Sequence, residues 1–162
     1  MGCDIHAFID YDCDMTDWTY ANNFAEEIDL PRNYLLFGLL AGVRQGIDVE
    51  PVALPKGLPD KVSWRVERRY TIYISDVERD KVQQWLANGW STLWRNHPDY
   101  ITNPDWHSAS WLSVDELEEV ERRYDSYVAN HHLIQIRNNV LAAIIAAMKM
   151  LPAGRLVFWF DN

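Results

Sequence analysis

Asp4 and His6 are the two residues of the chain whose types and spacing are best suited to joint chemistry. They belong to the opening stretch 2–10, in which apolar and polar residues alternate. Alternation of this kind predicts a β-strand, because successive side chains of a strand point to opposite faces. The carboxylate and the imidazole would then share one face, about 7 Å apart along the strand. The other face of the strand would be apolar and would consist of Cys3, Ile5, Ala7 and Ile9.

A carboxylate and an imidazole at this spacing suggest a site for a divalent cation. Oxygen and nitrogen donors suit Zn, Mn or Fe, and such a metal would activate a water molecule for hydrolysis. His107 and Asp161 are candidate ligands from distant segments, the second because the last strand could lie beside the first. We therefore predict Asp4, His6 and His107 as catalytic residues, and the same three with Asp161 as metal ligands. The alternative is that Asp4 and His6 merely satisfy each other in the core.

A cysteine nucleophile is a second chemical alternative. Cys3 or Cys13 could be activated by His6 or His107. On a regular strand, however, Cys3 points away from His6, and a buried structural cysteine is the simpler interpretation.

Residues around a short predicted helix could bind an anion. Pro31 suits the first turn of a helix and Gly42 its end. Arginine is suited to bidentate recognition of phosphate or carboxylate, although most surface arginines are only solvated charges. The predicted ligand-binding residues of this segment are Arg32, Asn33, Tyr34 and Arg44.

The stretch 90–111 is rich in tryptophan, histidine, asparagine and proline. Aromatic side chains with interspersed polar groups could stack on a base or a sugar, and they also suit a core lid or a protein interface. We single out His107 and Ser108, which lie between two tryptophans, and we add Ser108 and Trp111 to the predicted ligand-binding residues.

Composition limits the range of functions. A chain of 162 residues with 48% hydrophobic residues fits one globular domain, 1–162. A net charge of -9 argues against direct binding of DNA or RNA polymers, which requires a basic face. Two cysteines, no secretory segment and no apolar run of 18 residues predict a protein of the reducing cytoplasm with no membrane span.

The order of the predicted elements indicates an α+β fold, in which one small sheet holds the N-terminal and C-terminal strands and helices cover it. Ser113 and Glu116 form a capping-box pattern that opens an acidic helix to about residue 127. A long C-terminal helix is predicted from about residue 129 to 151, before the apolar run 156–160. The remaining predictions are a hairpin strand near 18–20, a long loop at 46–60, helices at 60–69 and 76–87, and a strand at 70–75.

Segments spread along most of the chain resemble a set of small uncharacterised proteins encoded by tailed phages and prophages. These segments are the opening Met1-Gly2-Cys3-Asp4-Ile5-His6, residues 32–34, 40–44 and 57–59, the stretch 107–111, and the ending Phe158-Trp159-Phe160-Asp161-Asn162. The set often has a second histidine where this chain has Ala109, which implies a two-histidine ligand pair that is lost here. The resemblance implies a phage context in the cytoplasm of a bacterial host, where small proteins often bind a host effector or remove a nucleotide signal. The Asp4-Ile5-His6 triplet also resembles the first motif of calcineurin-like metallophosphoesterases, but the later motifs of that family are absent from this chain.

Two functions from different classes follow. The first is binding of a small anionic, nucleotide-like ligand at a polar pocket, with or without metal-dependent hydrolysis, as a means to counter host defence. The second is a non-enzymatic acidic interaction protein that inhibits a host protein or forms part of a phage particle. The tryptophan-rich stretches are compatible with a homodimer under either function.

Overall fold

The computed structural model describes residues 2–11, 27–43, 48–132 and 139–161. They form helices that pack around antiparallel strands. Strands β1 (Ile5–Asp10) and β6 (Arg155–Phe160) pair along their whole length. They are flanked by β2 (Glu27–Ile28) and β5 (His107–Ser113), which gives the order β2-β1-β6-β5. The predicted α+β class is confirmed, with the first and last strands as neighbours at the centre of the main sheet.

The alternation along β1 separates two layers of the protein. Ile5 pairs with Phe160 on one face, and this face packs against the larger of two apolar cores. His6 pairs with Trp159 on the other face, where Phe8, Val66 and Trp159 belong to a smaller core. The opening strand therefore has the apolar and polar faces that its sequence predicts.

The larger core is closed by three helices. The first, α1 (Tyr34–Ala41), has its residues 35–41 buried, as expected of a helix that is apolar on every side. Its C-terminal end matches the prediction, because Gly42 adopts a left-handed conformation with φ of 69° at the C-cap. Its N-terminal end does not, because the helix begins at Tyr34 after Asn33 as N-cap, and Pro31 lies before the first turn. The other two helices are α4 (Val114–Asn130) and α5 (Asn139–Lys149).

The predicted boundary between α4 and α5 is wrong. We expected the last helix to begin near Ala129, but α4 continues to Asn130 and is followed by a turn at 131–132. His132 has a positive φ of 50°, which interrupts a right-handed helix. His131 and His132 are exposed at this turn. The capping box at Ser113 and Glu116 is present as predicted.

A second, smaller sheet lies beside the main one. It consists of β3 (Thr71–Tyr73) and β4 (Tyr100–Thr102), which are antiparallel. Helix α2 (Trp64–Tyr70) leads into β3, and α3 (Arg79–Ala87) follows it. Helix α2 begins four residues later than expected because Ser63 is still extended, with ψ of 151°.

Two further predictions about local structure have different outcomes. The helix predicted at 76–87 begins three residues late, at Arg79, because Asp76 lies in a separate 3₁₀ turn at Ile74–Asp76. The end of α3 at Ala87, before a left-handed Gly89, is confirmed.

The predicted hairpin strand near 18–20 lies outside the described residues. Among the residues described, no helix combines the length and the apolar character needed to cross a membrane.

Candidate functional site

His6 has a carboxylate at each of its two ring nitrogens. Nδ1 contacts Oε1 of Glu27, and Nε2 lies 3.3 Å from Oδ2 of Asp161. Both partners are positioned by strand pairing, because Glu27 lies on β2 opposite Phe8 and Asp161 follows β6. The backbone N–H of Asp161 donates to the Asp4 carbonyl over 3.1 Å, which continues the β1–β6 ladder past the last residue of the strand. The sheet therefore holds the imidazole between two acids.

The groups around the His6 ring can form hydrogen bonds with either its protonated or its neutral form. Only a protonated imidazole can donate from both nitrogens at once, and it would then bind Glu27 and Asp161 together. In the neutral ring one nitrogen is an acceptor, and Arg69 Nη2, at 3.3 Å from Nδ1, can donate to it. The His6 side chain is only 12% exposed, so these contacts replace most of its contact with water.

Two arginines complete this cluster. Arg32 donates to Oδ1 of Asp4 from Nε over 2.8 Å and from Nη2 over 2.6 Å, and these hydrogen bonds raise the pKa of Arg32. Arg69 donates from Nε to Oε2 of Glu27 over 3.0 Å. Both arginines keep close to half of their side-chain surface exposed, 48% and 44%. We call the six residues together the His6 network: Asp4, His6, Glu27, Arg32, Arg69 and Asp161.

Gly2 makes room for the Arg32–Asp4 pair. A Cβ atom at Gly2 would lie 2.7 Å from Cζ of Arg32, which is closer than real Cβ contacts allow. The Arg32 guanidinium therefore lies against the backbone of Gly2. A side chain on any other residue at position 2 would displace it. The Asp4 backbone N–H is bound separately, by Oδ1 of Asp161 over 2.9 Å.

Burial and hydrogen bonding act in opposite directions on Glu27. Burial raises the pKa of its carboxyl, but hydrogen bonds with His6 and Arg69 outweigh burial and leave the pKa below its usual value of 4.5. The network holds three carboxylates, two arginines and one histidine, so its charges balance when the imidazole is protonated.

Aromatic rings form the floor of the network. The His6 ring meets the edge of Trp106 at a centroid distance of 4.5 Å and stacks on Trp159 at 5.9 Å. Arg69 Cζ lies 5.4 Å from the centre of the Trp106 ring. The indole N–H groups of Trp106 and Trp159 are buried and have no acceptor among the residues that the structure describes. Since buried donors are normally paired, these two N–H groups are exceptions in the described part of the chain.

His107 is not brought to the network. It pairs with Phe160 and stacks on that ring at a centroid distance of 5.9 Å, whereas His6 lies against Trp159. Neighbouring residues of β6 face opposite sides of the sheet, so the two histidines contact opposite faces. Ser108 accompanies His107, with Oγ 3.0 Å from its Nδ1 and a positive φ of 51° at an irregularity in the strand.

The other predicted ligand-binding residues have structural contacts of their own. Asn33 caps α1 by accepting the Leu36 N–H over 3.1 Å, and its amide donates to the Tyr124 hydroxyl over 2.9 Å. Tyr34 is 39% exposed and packs edge-on against Phe37. Trp111 lies beneath Lys56 and Arg155. Arg44 and Cys13 lie outside the described residues, and Cys3 is buried in the core on the face away from His6.

Sequence reasoning missed Glu27, Arg69 and Trp106 as members of the site. Glu27 lies on a strand of two residues, too short to show a period. Arg69 is the last residue but one of a helix in which three of the last six residues are arginine, so nothing in the sequence distinguishes it. The signal for Trp106 was its place in the aromatic stretch before His107, which we read as a general wall and not as a contact of His6.

The fit of a metal ion to these residues is partial. Asp4, His6 and Asp161 are brought together as predicted, and Glu27 adds another carboxylate. As the side chains stand, Oδ1 of Asp4 is bound by Arg32 and both His6 nitrogens face acids. Within residues 2–11, 27–43, 48–132 and 139–161, no group of three or more His, Cys, Asp or Glu side chains has the geometry to hold a metal.

A separate cleft of about 760 Å³ lies on another side of α2. Its walls come from α2, the β3–β4 sheet and the segment around Trp94, and they combine aromatic with charged side chains. No residue of the His6 network lines it.

The comparisons with known proteins give no relative for this arrangement. No protein-family model matches the chain, and it matches neither a curated protein nor a solved structure.

Proposed function

We propose that the His6 network binds a small, phosphate-containing anion of nucleotide size. The observation that carries this proposal is the convergence of donors on one end of the sheet. Arg32 and Arg69 are half-exposed, His6 lies between Glu27 and Asp161, and the buried indole N–H groups of Trp106 and Trp159 lack an acceptor in the described part of the chain.

The arginines supply the recognition of phosphate. A guanidinium presents parallel N–H donors that match phosphate oxygens as well as they match a carboxylate. Arg32 and Arg69 are now paired with Asp4 and Glu27 in half-exposed ion pairs. Such pairs contribute only about 0–1 kcal/mol, so exchanging a carboxylate oxygen for a phosphate oxygen costs little. The Trp106 ring beside Arg69 offers a surface for a base.

Hydrolysis of the bound ligand would require a divalent metal ion in addition to the residues of the His6 network. The carboxylates of Asp4, Glu27 and Asp161 are hard oxygen donors of the kind that divalent cations prefer. A Mn, Zn or Fe ion held there with His6 would offset their charge against the phosphate and supply an activated water. Without such an ion the same site would sequester the ligand intact. The resemblance to phage proteins favours a role against a host nucleotide signal in either form.

The first experiment is a calorimetric titration of the untagged protein with AMP, ATP and cyclic mono- and dinucleotides, with and without Mn²⁺. The test variants are Arg32→Gln and Arg69→Gln, and the matched control is Arg122→Gln, a surface arginine paired with Glu119 on α4. Because a charge-assisted hydrogen bond contributes about 1.5–3 kcal/mol, each test variant should weaken binding about tenfold or more. Equal affinity in all four proteins would contradict the proposal.

Turnover is measured on the same samples. After a long incubation the protein is denatured and the nucleotide is recovered and quantified. Full recovery of intact ligand at one equivalent, with Mn²⁺ present, would leave sequestration and remove hydrolysis.

The second candidate function is a non-enzymatic interaction protein. It is favoured by exposed apolar side chains away from the network, of which Trp90 is 58% and Leu93 41% exposed. Aromatic residues of this kind are enriched in protein interfaces. For this function, Asp4→Ala with His6→Ala should leave activity in phage-infected cells intact, and charge reversal at Glu118 and Glu121 on the acidic α4 should abolish it. The opposite pattern supports the ligand site.

A further inference from the structure

The cleft beside α2 has the dimensions of a small-molecule site. Its volume of about 760 Å³ lies within the usual range of about 300–1,000 Å³ for such sites. Its aromatic lining residues are unusually exposed for their size: Trp64 is 44%, Tyr73 43% and Tyr100 37% exposed. The rings of Tyr73 and Tyr100 form a cross-strand pair with centroids 5.2 Å apart.

Helix α2 separates this cleft from the His6 network. Arg69 turns towards Glu27 and His6, whereas the neighbouring Glu67 and Arg68 line the cleft. Between the two sites lies Tyr70, whose ring is 5.0 Å from Trp159 of the network floor and 5.6 Å from Trp94 of the cleft wall. The cleft is therefore a second site, which the proposed nucleotide site does not use.

The charged groups of the cleft favour a cation. Glu67 and Asp76 line it on the acidic side and Arg68 on the basic side. In the described part of the chain neither acid is paired with a lysine or an arginine. Glu67 accepts the indole N–H of Trp94 through Oε1 and is half-buried, so its position is fixed. A phosphate would be repelled by both acids here.

Two rings of the cleft already contact cationic side chains of the protein. Arg95 Cζ lies 4.6 Å from the centre of the Trp94 ring, and Arg65 Cζ lies 5.2 Å from the centre of Trp64. These distances are within the range of about 6 Å at which an aromatic face attracts a cation. Tyrosine faces attract cations in the same way, and Tyr73 and Tyr100 remain exposed to a ligand.

From these contacts we propose that the cleft binds an organic cation, an alkylammonium or guanidinium group, against the faces of Trp64, Tyr73 and Tyr100. Glu67 and Asp76 supply the opposite charge. The group could belong to a free polyamine or to a lysine or arginine side chain of a peptide, because the chemistry of recognition is the same for both.

The test uses a variant that keeps the internal contacts of Glu67. In Glu67→Gln the side-chain carbonyl can still accept the Trp94 indole N–H, so the change removes the charge and leaves the local hydrogen bond in place. The matched control is Glu118→Gln, which removes a carboxylate paired with Lys149 on the opposite side of the sheet. A second variant, Tyr73→Leu with Tyr100→Leu, removes the aromatic faces and keeps apolar volume.

Binding is followed by NMR from the tryptophan indole N–H signals, with spermidine, N-acetyl-arginine amide and a short lysine-rich peptide as probes. We expect saturable shifts with a dissociation constant of about 1 mM or lower for at least one probe. Both test variants should weaken binding about tenfold, and Glu118→Gln should not. The spermidine and peptide arms identify the source of the cation.

Three results would overturn the proposal. They are no saturable shift with any probe, equal affinity of wild type and Glu67→Gln, and AMP binding that is weakened by Tyr73→Leu with Tyr100→Leu. Failure of the His6 network as a nucleotide site would leave the cleft untouched, because Arg69→Gln does not alter the cleft and Glu67→Gln does not alter the network.

Discussion

The imidazole of His6 and the carboxylate of Asp161 meet across the pairing of the first and last strands. Nε2 lies 3.3 Å from Oδ2, although 155 residues separate the two positions in the sequence. The contact depends on the β1–β6 register, in which His6 lies opposite Trp159 and Asp161 binds the Asp4 carbonyl. The candidate site is therefore complete only when both ends of the described chain are in place.

The His6–Asp161 contact should contribute measurably to stability. In Asp161→Asn the amide oxygen still accepts the Asp4 N–H, so the change mainly removes the negative charge beside the imidazole. We expect a loss of about 1–2 kcal/mol in the free energy of unfolding, measured by urea denaturation at pH 7. The control Asp125→Asn, an exposed position on α4, should change stability by less than about 0.5 kcal/mol. Equal effects in the two variants would mean that the contact is only an exposed pair.

The lowered pKa of Glu27 predicts a loss of stability in acid. Burial raises this pKa, but the hydrogen bonds with His6 and Arg69 bring it below the usual 4.5. The unfolded chain therefore binds the proton at a higher pH than the folded one. The stabilisation by this group is complete above the unfolded pKa and is lost as pH falls below about 4.5. Melting temperatures recorded between pH 7 and pH 3 should fall less steeply for Glu27→Gln than for wild type. Parallel curves would show that Glu27 contributes nothing to acid unfolding.

Part of the site was predictable because it depends on the alternation along the first strand and on the pairing of the first and last strands. Alternation placed Asp4 and His6 on one face, and an apolar final strand suggested that Asp161 could reach them. Glu27 and Arg69 were not predictable, because each is positioned by a pairing or a helix orientation that leaves no local pattern. Metal ligation by these residues, and anion binding by Arg32, stay predictions, as do the roles assigned to His107, Asn33, Tyr34, Arg44, Ser108 and Trp111.

The fold was predictable where capping residues and hydrophobic periodicity mark the same element. It was less predictable at the edge of the main sheet. The Ser113 capping box and the Gly42 C-cap define helix ends by local hydrogen bonds. Strand β5 was hidden, because it lies at the edge of the sheet and its mostly polar segment 107–110 includes an irregularity in register. Edge strands with such irregularities lack clean alternation, since one face is not buried along the whole strand.

Asn33 offers a way to separate a structural role from ligand binding. Asn33→Ala removes both the N-cap of α1 and the hydrogen bond to Tyr124, so we expect a loss of about 1–2 kcal/mol in unfolding free energy. Asn33→Ser restores a cap but not the Tyr124 contact, and it should recover part of the loss. Chemical denaturation gives both values. If Asn33→Ser weakens nucleotide binding while restoring stability, the amide also contacts ligand.

The buried pair of Asp10 and Arg155 should behave differently from the surface pairs. Asp10 is fully buried, and Arg155, which is opposite it in the strand register, donates from Nη2 to Oδ2 over 2.8 Å. The backbone N–H of Ser63 donates to the other oxygen over 3.3 Å. Arg155→Met removes the guanidinium from a carboxylate that water cannot reach, and removing one partner of such a pair costs about 3–5 kcal/mol.

Combining Arg155→Met with Asp10→Asn distinguishes the cost of removing the guanidinium's charge from the cost of lost side-chain packing. Because the amide carries no charge, Asp10→Asn together with Arg155→Met should be more stable than Arg155→Met alone, so the two changes should not be additive. Urea denaturation of the single and double variants measures this coupling. Arg122→Met, at an arginine 68% exposed on α4, is the surface control and should change stability far less than Arg155→Met. Additive losses at positions 10 and 155 would show that packing of the arginine stem, and not charge, holds β1 and β6 together at this end.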